Sequence, residues 1–191
     1  MSKIPLWLRL MIVFLVSFIL VSIIFTIMAN TFDNEAVFGK NPNSTEPTVE
    51  GPKQVRDFTV YDADGNQVKL SDYFGKPIVV NFWASWCGPC KNEMPNFEEV
   101  YLDLGDEVQF LMVNLTDGSR ETQEDAEAYI KSQGYTMPVF YDKDMDATVA
   151  FAIFSVPQSY FIDADGVLQA SASGGITTEQ LRECIAQIYK P

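Results

Sequence analysis

The sequence contains no histidine and only three cysteines. Histidine is the commonest metal ligand and the commonest general base, so its absence argues against zinc hydrolases and against Ser-His or Cys-His nucleophile systems. Three cysteines are also too few for a fold held together by disulfides. Two of them, Cys87 and Cys90, have the Cys-x-x-Cys spacing of a catalytic dithiol rather than that of a structural cross-link.

Positive charge is scarce as well. The chain has 13 Lys and Arg residues against 26 Asp and Glu residues, which gives a formal net charge of -13 and a pI near 4.2. Nucleic acids and anionic lipid headgroups would be repelled, whereas neutral or basic protein partners are easier to accommodate. The length of 191 residues and the apolar content of 47% fit one domain plus an appendage.

The appendage is an uncharged run near the N-terminus. Residues 10–29 contain no charged side chain, and as a helix they would span roughly 30 Å, about one hydrocarbon core. Lys3 and Arg9 precede the run, and Asp33 and Glu35 follow it. The positive-inside rule therefore predicts a single-pass cell-membrane protein with a cytoplasmic N-terminus and an extracytoplasmic catalytic domain.

A cleaved signal peptide is the alternative interpretation of this run. Its apolar region would be about 7 to 15 residues long and would end in small residues, which residues 27–30 do not provide. Residues 39–52 are rich in Asn, Pro, Ser, Thr and Glu and have too few large apolar residues to fold. The predicted organisation is an anchor over residues 1–30, a flexible linker over residues 31–53 and one folded domain over residues 54–191.

Strand and helix signals alternate along the folded domain. Two Asp-Ala-Asp-Gly segments, at residues 62–65 and 163–166, predict β-hairpins. The other predicted strands are residues 78–83, 108–115 and 139–141. Four helices are predicted: one after the Cys pair, one over residues 119–133 with a charged exposed face, one over residues 147–153, and one that starts at Thr177.

A buried strand leading into Cys-x-x-Cys and then into a helix places Cys87 at the helix N-terminus, where unpaired N–H groups and the dipole favour a thiolate. Cys87 is therefore the predicted nucleophile, and Cys90 the thiol that resolves the mixed disulfide. Pro89 fits the first helical turn. A zinc site would need a second ligand pair, and haem attachment would need histidine where Lys91 stands. A purely structural disulfide stays open as an alternative.

The active-site segment, residues 81–91, reads Asn-Phe-Trp-Ala-Ser-Trp-Cys-Gly-Pro-Cys-Lys and resembles that of thioredoxins. Residues 57–59, 70–77 and 91–95 make the chain similar to the membrane-anchored TlpA/ResA-type branch. The resemblance implies an α/β thioredoxin-like fold: a central mixed sheet flanked by helices, an N-terminal β-hairpin and a central inserted helix and strand, preceded by one transmembrane helix. Residues 114–157 have room for that insertion.

The resemblance also implies a substrate-binding surface around the dithiol. Val156 and Pro157 occupy the place of the family's cis-proline, which borders the dithiol and offers backbone groups to an extended substrate. Pro157 as an ordinary strand-start proline is the alternative. Trp86, Gly88 and Pro89, beside the sulfurs, complete the predicted contact set. One of the neighbouring tryptophans filling the core is the alternative.

Two departures from classical thioredoxins bear on mechanism. Asn81 stands where those proteins carry a buried aspartate, and Glu93 matches the acid that ResA-like proteins place beside the dithiol. Glu93 is therefore a predicted catalytic acid-base residue, with a helix-surface glutamate as the alternative. Gln158 replaces the more usual threonine. Cys184 shares an apolar helix face with neighbouring Leu and Ile residues, which predicts a buried and inert thiol.

The predicted function is reduction of disulfides in exported proteins, such as apocytochrome c or a methionine sulfoxide reductase. The Gly-Pro dipeptide resembles that of strongly reducing thioredoxins, whose reduction potentials are about -270 mV. No dissociable cofactor is expected beyond the redox-active disulfide Cys87–Cys90, and the resemblance implies a membrane electron donor of the CcdA/DsbD type. A disulfide oxidase or isomerase is the alternative. The sequence lacks the motifs of a peroxiredoxin-like peroxidase and of a copper carrier. A non-catalytic holdase stays open as a further alternative, and it would work without the thiols.

Overall fold

The computed structural model describes residues 11, 14, 15, 17–24 and 54–190. The chain divides into two compact units, residues 1–49 and 50–191. In the first unit the described residues are helical and exposed. No helix among the described residues is long and apolar enough to cross a membrane. Most of the predicted anchor, and all of the predicted linker over residues 31–53, lie outside the described residues.

The second unit is built on a seven-stranded mixed sheet with the strand order β2-β1-β5-β4-β3-β6-β7. The central strands β3, β4 and β5 run parallel, while β6 pairs antiparallel with β3 and β1 pairs antiparallel with β5. The strands are β1 (Thr59–Tyr61), β2 (Gln67–Lys69), β3 (Ile78–Trp83), β4 (Gln109–Asn114), β5 (Val139–Tyr141), β6 (Gln158–Ile162) and β7 (Leu168–Ser173).

Helices cover both faces of this sheet. One apolar layer packs α1, α2 and α4 against one face, and a second layer packs α3 and a 3-10 turn, Leu70–Tyr73, against the other. The helices are α1 (Gly88–Leu104), α2 (Gln123–Gln133), α3 (Asp146–Ala150) and α4 (Thr178–Ile188). This arrangement confirms the predicted thioredoxin-like α/β fold, with β5 and α2 in the predicted insertion.

β3 shows why the sheet is buried on both sides. All six of its residues are buried. Val79 and Trp83 point into the layer that contains α1, and Val80 and Phe82 point into the opposite layer. A strand buried on both faces needs a continuous apolar run rather than alternation, which is the pattern that identified it.

The predicted turns and caps agree with the structure in most places. β1 and β2 form the first hairpin, β6 and β7 form the second, and α4 starts after an N-cap at Thr177 with Gln180 completing the capping box. The helix predicted over residues 147–153 ends earlier, at Ala150, and Ala152 adopts a positive φ of 50°.

One prediction was wrong in a way that affects the site. The helix expected over residues 119–133 begins only at Gln123, because Thr122 is its N-cap and bonds to the backbone N–H of Asp125. The preceding residues form a turn in which Glu121 is fully buried instead of lying on an exposed helical face.

Candidate active site

The Cys87–Cys90 pair lies where β3 ends and α1 begins. The two cysteines form a disulfide, and their Cα atoms are 5.2 Å apart. Cys87 is the N-cap of α1, and its sulfur accepts a hydrogen bond from the backbone N–H of Cys90 at 3.2 Å. The positive end of the helix therefore faces the Cys87 sulfur, an environment that stabilises a thiolate once the disulfide is reduced.

The residues of the dithiol loop differ in exposure. Cys90 is completely buried and Cys87 is 4% exposed, while Gly88 and Pro89 between them are exposed. Open space surrounds the point where a Cβ at Gly88 would lie, so packing does not require glycine there. An approaching disulfide meets the Cys87 side of the pair first.

The loop before β6 borders the first sulfur. The carbonyl oxygen of Val156 lies 3.6 Å from Cys87 Sγ, although the two residues are 69 positions apart in the chain. The Val156–Pro157 peptide bond is cis, and Pro157 is buried. The structure thus brings together the dithiol and the segment that the resemblance assigned to the cis-proline.

The two tryptophans near the sulfurs occupy different environments. Trp83 is fully buried and packs against Tyr129, so it belongs to the core. Trp86 is 40% exposed and lies directly before Cys87. The guanidinium of Arg120 stacks on the Trp86 ring, with Cζ 3.5 Å from the ring centroid.

Glu93 lies inside the domain, three residues after Cys90 on α1. It is only 2% exposed, so the alternative of a helix-surface glutamate is wrong. One carboxylate oxygen accepts a hydrogen bond from Asn81 Nδ2 at 2.8 Å, and the other accepts one from the backbone N–H of Ile176 at 3.0 Å. Asn81 also donates to Ser159 Oγ at 3.1 Å, while its own Oδ1 has no hydrogen-bond partner.

This burial changes the acidity of Glu93. Desolvation raises its pKa from 4.5 to about 7, although the hydrogen bonds from Asn81 and Ile176 oppose the shift. Glu93 also lines a pocket of about 250 Å³, together with Pro89 of the dithiol loop. A group with this pKa exchanges a proton at neutral pH, as a general acid or base requires.

A second buried carboxylate, Glu121, was missed by sequence reasoning. It accepts hydrogen bonds from the backbone N–H and the Oγ of Ser85, at 2.7 and 2.8 Å, and from Asn114 Nδ2 at 2.7 Å. Glu121 therefore ties the turn before the dithiol to the end of β4. The available signal was Thr122 as an N-cap, which excludes the preceding residue from the helix.

Cys184 lies outside this group of residues. It is the free cysteine of the described chain, on α4, and it is half-buried rather than fully buried as expected. Burial raises the pKa of its thiol, which favours the unreactive protonated form. Within the described residues, no group of three or more Cys, Asp or Glu side chains is arranged to hold a metal ion.

Comparison with known proteins gives the same chemistry. The model of the AhpC/TSA family matches residues 52–171. The thiol-disulfide oxidoreductase ResA of Bacillus cereus is 31% identical over 146 residues, which cover 76% of this chain and 82% of that protein. The chain belongs to the AhpC/TSA family, as a ResA/TlpA-type thiol-disulfide oxidoreductase.

Solved structures support the assignment of the fold. The crystal structure of StoA from Bacillus subtilis matches with a TM-score of 0.59 and 29% identity, over 68% of this chain and 96% of that one. The exposed lipoprotein thioredoxin of Streptococcus pneumoniae matches with a TM-score of 0.61 and 28% identity, over 69% and 98% of the two chains. The oxidoreductase assignment thus covers the domain that carries the dithiol.

The raised pKa of Glu93 predicts a specific pH dependence of stability. A carboxyl group with a pKa of 4.5 when unfolded and about 7 when folded stabilises the native state below pH 4.5, and this contribution is lost as the pH rises to 7. Relative to Glu93→Gln, the free energy of unfolding of the wild-type protein should therefore fall by about 3 kcal/mol between pH 4 and pH 8. Urea unfolding of the oxidised proteins measures it.

Glu124→Gln is the matched control, because it removes the charge of an exposed glutamate. Glutamine at position 93 keeps the shape, and Asn81 can turn its unpartnered Oδ1 towards the new amide. A difference between wild type and Glu93→Gln that stays constant with pH would mean that Glu93 keeps its ordinary acidity in the folded protein.

Proposed function

We propose that this oxidoreductase works as a reductant of disulfides in exported proteins, with Cys87 as the attacking thiol and Cys90 as the resolving thiol. The observation that carries the assignment of the two sulfurs is the position of Cys87 Sγ, which caps α1, accepts a hydrogen bond from the Cys90 N–H and belongs to the less buried cysteine of the pair. The Gly88-Pro89 dipeptide, which adds no charge beside the sulfurs, supports the reducing direction.

The reaction transfers two electrons in two exchange steps. The Cys87 thiolate attacks one sulfur of the substrate disulfide, the substrate S–S bond breaks, and the other substrate sulfur leaves as a thiolate that takes up a proton. Cys90 then loses its proton and attacks the Cys87 sulfur, which breaks the mixed disulfide and releases the second substrate thiol. The enzyme is left with the Cys87–Cys90 disulfide, and a membrane dithiol donor of the CcdA/DsbD type restores the reduced form.

Glu93 is the proposed acceptor of the Cys90 proton. It follows Cys90 by about one helical turn on α1, belongs to the same buried side of the sheet, and has a pKa of about 7. Asn81 and the N–H of Ile176 hold the carboxyl group in place. A buried carboxylate opposes a second negative charge nearby, so the two thiols and Glu93 should titrate as a coupled set.

The proposed substrate surface surrounds Cys87. Trp86 supplies a partly exposed aromatic side chain, and Gly88 and Pro89 form the exposed edge of the loop. Val156 and Pro157 supply backbone groups next to Cys87. An extended peptide lying along the Val156–Pro157 segment would pair with its backbone and bring its sulfur to Cys87.

The proposed location is the outer face of the cell membrane. The uncharged run of residues 10–29, the basic residues before it and the acidic residues after it support an uncleaved anchor with residues 31–53 as a tether. One similar solved structure belongs to a protein that is described as an exposed lipoprotein thioredoxin. This similarity also supports a location outside the cytoplasm.

The topology predicts the behaviour of reporter fusions. A periplasm-type reporter joined after residue 50 should be active, and a reporter that works only in the cytoplasm should be silent. The same pair of fusions to a chain that lacks residues 1–30 is the control. Activity of the cytoplasmic reporter in the full-length fusion would contradict the proposed orientation.

The roles of the two sulfurs predict different trapping behaviour. Cys90→Ser should accumulate mixed disulfides with client proteins, because the attack that releases them is lost, whereas Cys87→Ser should not. Non-reducing electrophoresis of the purified proteins with a model disulfide protein measures the adducts. Adding Cys184→Ala to both variants is the control, because it removes the cysteine outside the dithiol. Equal trapping by Cys90→Ser and Cys87→Ser would contradict the assignment.

The reduction potential of the pair tests the direction of electron flow. A reductant should have a reduction potential of about -270 mV. The potentials of isomerases are about -180 mV, and those of strong oxidants are about -120 mV. Equilibration with thiol-disulfide buffers, followed by the fluorescence of the adjacent tryptophans, gives the value. A potential above about -180 mV would replace the reductant with an oxidase or isomerase.

A further inference from the structure

An arginine covers the exposed aromatic residue beside the nucleophile. Arg120 Cζ lies 3.5 Å from the centroid of the Trp86 ring, and Trp86 is the residue directly before Cys87. A guanidinium at this distance stacks on the ring with its planar face. Its N–H donors are in the plane of the group and point sideways, which leaves them available to a carboxylate approaching the dithiol.

The backbone on either side of Arg120 is fixed. Asp117 Oδ1 accepts hydrogen bonds from the backbone N–H groups of Ser119, Arg120 and Glu121, at 2.8, 2.7 and 3.1 Å. The Glu121 carboxylate in turn holds both the N–H and the hydroxyl of Ser85. The turn of residues 117–121 thus meets the active-site turn at two adjacent residues: Glu121 bonds to Ser85, and Arg120 stacks on Trp86.

The charge of Arg120 is not neutralised in the described part of the chain. No ion pair connects its guanidinium to a described carboxylate, in contrast to Arg182, which pairs with Asp103 at 2.7 Å and approaches Glu99 at 3.8 Å. The whole chain carries a net charge of -13. A cation held against the residue that precedes Cys87 thus opposes the general repulsion of acidic groups at this place on the surface.

The segment before β6 that borders Cys87 carries an exposed aromatic side chain. Phe154 is 95% exposed and lies two residues before Val156, whose carbonyl oxygen is 3.6 Å from Cys87 Sγ. Two Cα–Cα steps of about 3.8 Å place it within about 8 Å of Val156 along the chain. Phe154 is therefore an exposed apolar side chain in the chain segment that borders Cys87.

We propose that Arg120 is a specificity-determining residue, which binds an acidic side chain next to the substrate cysteine that Cys87 attacks. The proposal rests on the proposed role of Cys87 and extends it to the substrate class: peptides whose disulfide is flanked by Asp or Glu. The stack on Trp86 fixes the direction of the guanidinium, and this allows two parallel hydrogen bonds to one carboxylate. Exposed ion pairs of this kind change affinities by about two- to fivefold, and added salt weakens them.

Three synthetic peptides test the proposal. They share one intramolecular disulfide and differ only in the residue next to the attacked cysteine, which is Asp, Asn or Lys. Reduced wild-type protein is mixed with excess peptide, and tryptophan fluorescence follows the initial rate of the reaction. The wild-type protein should favour Asp over Lys by about two- to fivefold at low salt, and 0.5 M salt should reduce this ratio towards one.

Variants then distinguish recognition of the acidic side chain by Arg120 from a role in which Arg120 only holds Trp86 in place. Arg120→Gln should bring the Asp-to-Lys ratio to about one, Arg120→Lys should retain part of the preference, and Arg182→Gln, which removes the same charge from α4, should keep the wild-type ratio. An unchanged ratio in Arg120→Gln overturns the proposal. An equal slowing with all three peptides also overturns it, because Arg120 would then only hold Trp86 in place.

The wild-type protein alone separates this inference from the function it rests on. Equal rates with the three peptides would refute the role of Arg120 and leave Cys87 as the attacking thiol. Failure to reduce any of them would refute the proposed reductant function, and the inference that rests on it.

Discussion

The active site depends on one junction, where the fully buried strand β3 delivers the chain to the N-terminus of α1. Because β3 is packed on both faces, its end is held firmly, and Cys87 becomes the N-cap of the helix. Its sulfur accepts the N–H of Cys90, while Glu121 holds Ser85 in the intervening turn. The segment that must undergo chemistry is thus fixed from the strand, from the helix and from a distant loop.

Two buried carboxylates act on this junction in different ways. Glu121 accepts three hydrogen bonds from Ser85 and Asn114 and joins the turn to β4. Glu93 accepts two, from Asn81 and Ile176, and its pKa is raised to about 7 by burial. The first is suited to fixing geometry, and the second is suited to exchanging a proton near neutral pH.

Local patterns were sufficient to predict the framework and the dithiol. Neighbouring residues alone determine the apolar run of β3, the Asp-Ala-Asp-Gly turns and the cap at Thr177. The spacing of Cys87 and Cys90 is sufficient to identify the dithiol. The surroundings of the dithiol were harder, because Ser159 meets Asn81 only through the register of β3 with β6, 78 positions away. The burial of Glu121 and the stacking of Arg120 on Trp86 likewise come from tertiary packing, which a helical charge pattern cannot reveal.

The same packing places opposing influences on the redox balance of the dithiol. The N-terminus of α1 stabilises a thiolate at Cys87, which favours the reduced dithiol and makes the disulfide a better oxidant. The buried carboxyl of Glu93 acts against it, because its ionised form disfavours further negative charge in the same apolar layer. Gly88 and Pro89 add no charge of their own. The helix terminus and the buried acid therefore have opposite effects on a thiolate at Cys87, and the effect of the acid changes with its protonation around neutral pH.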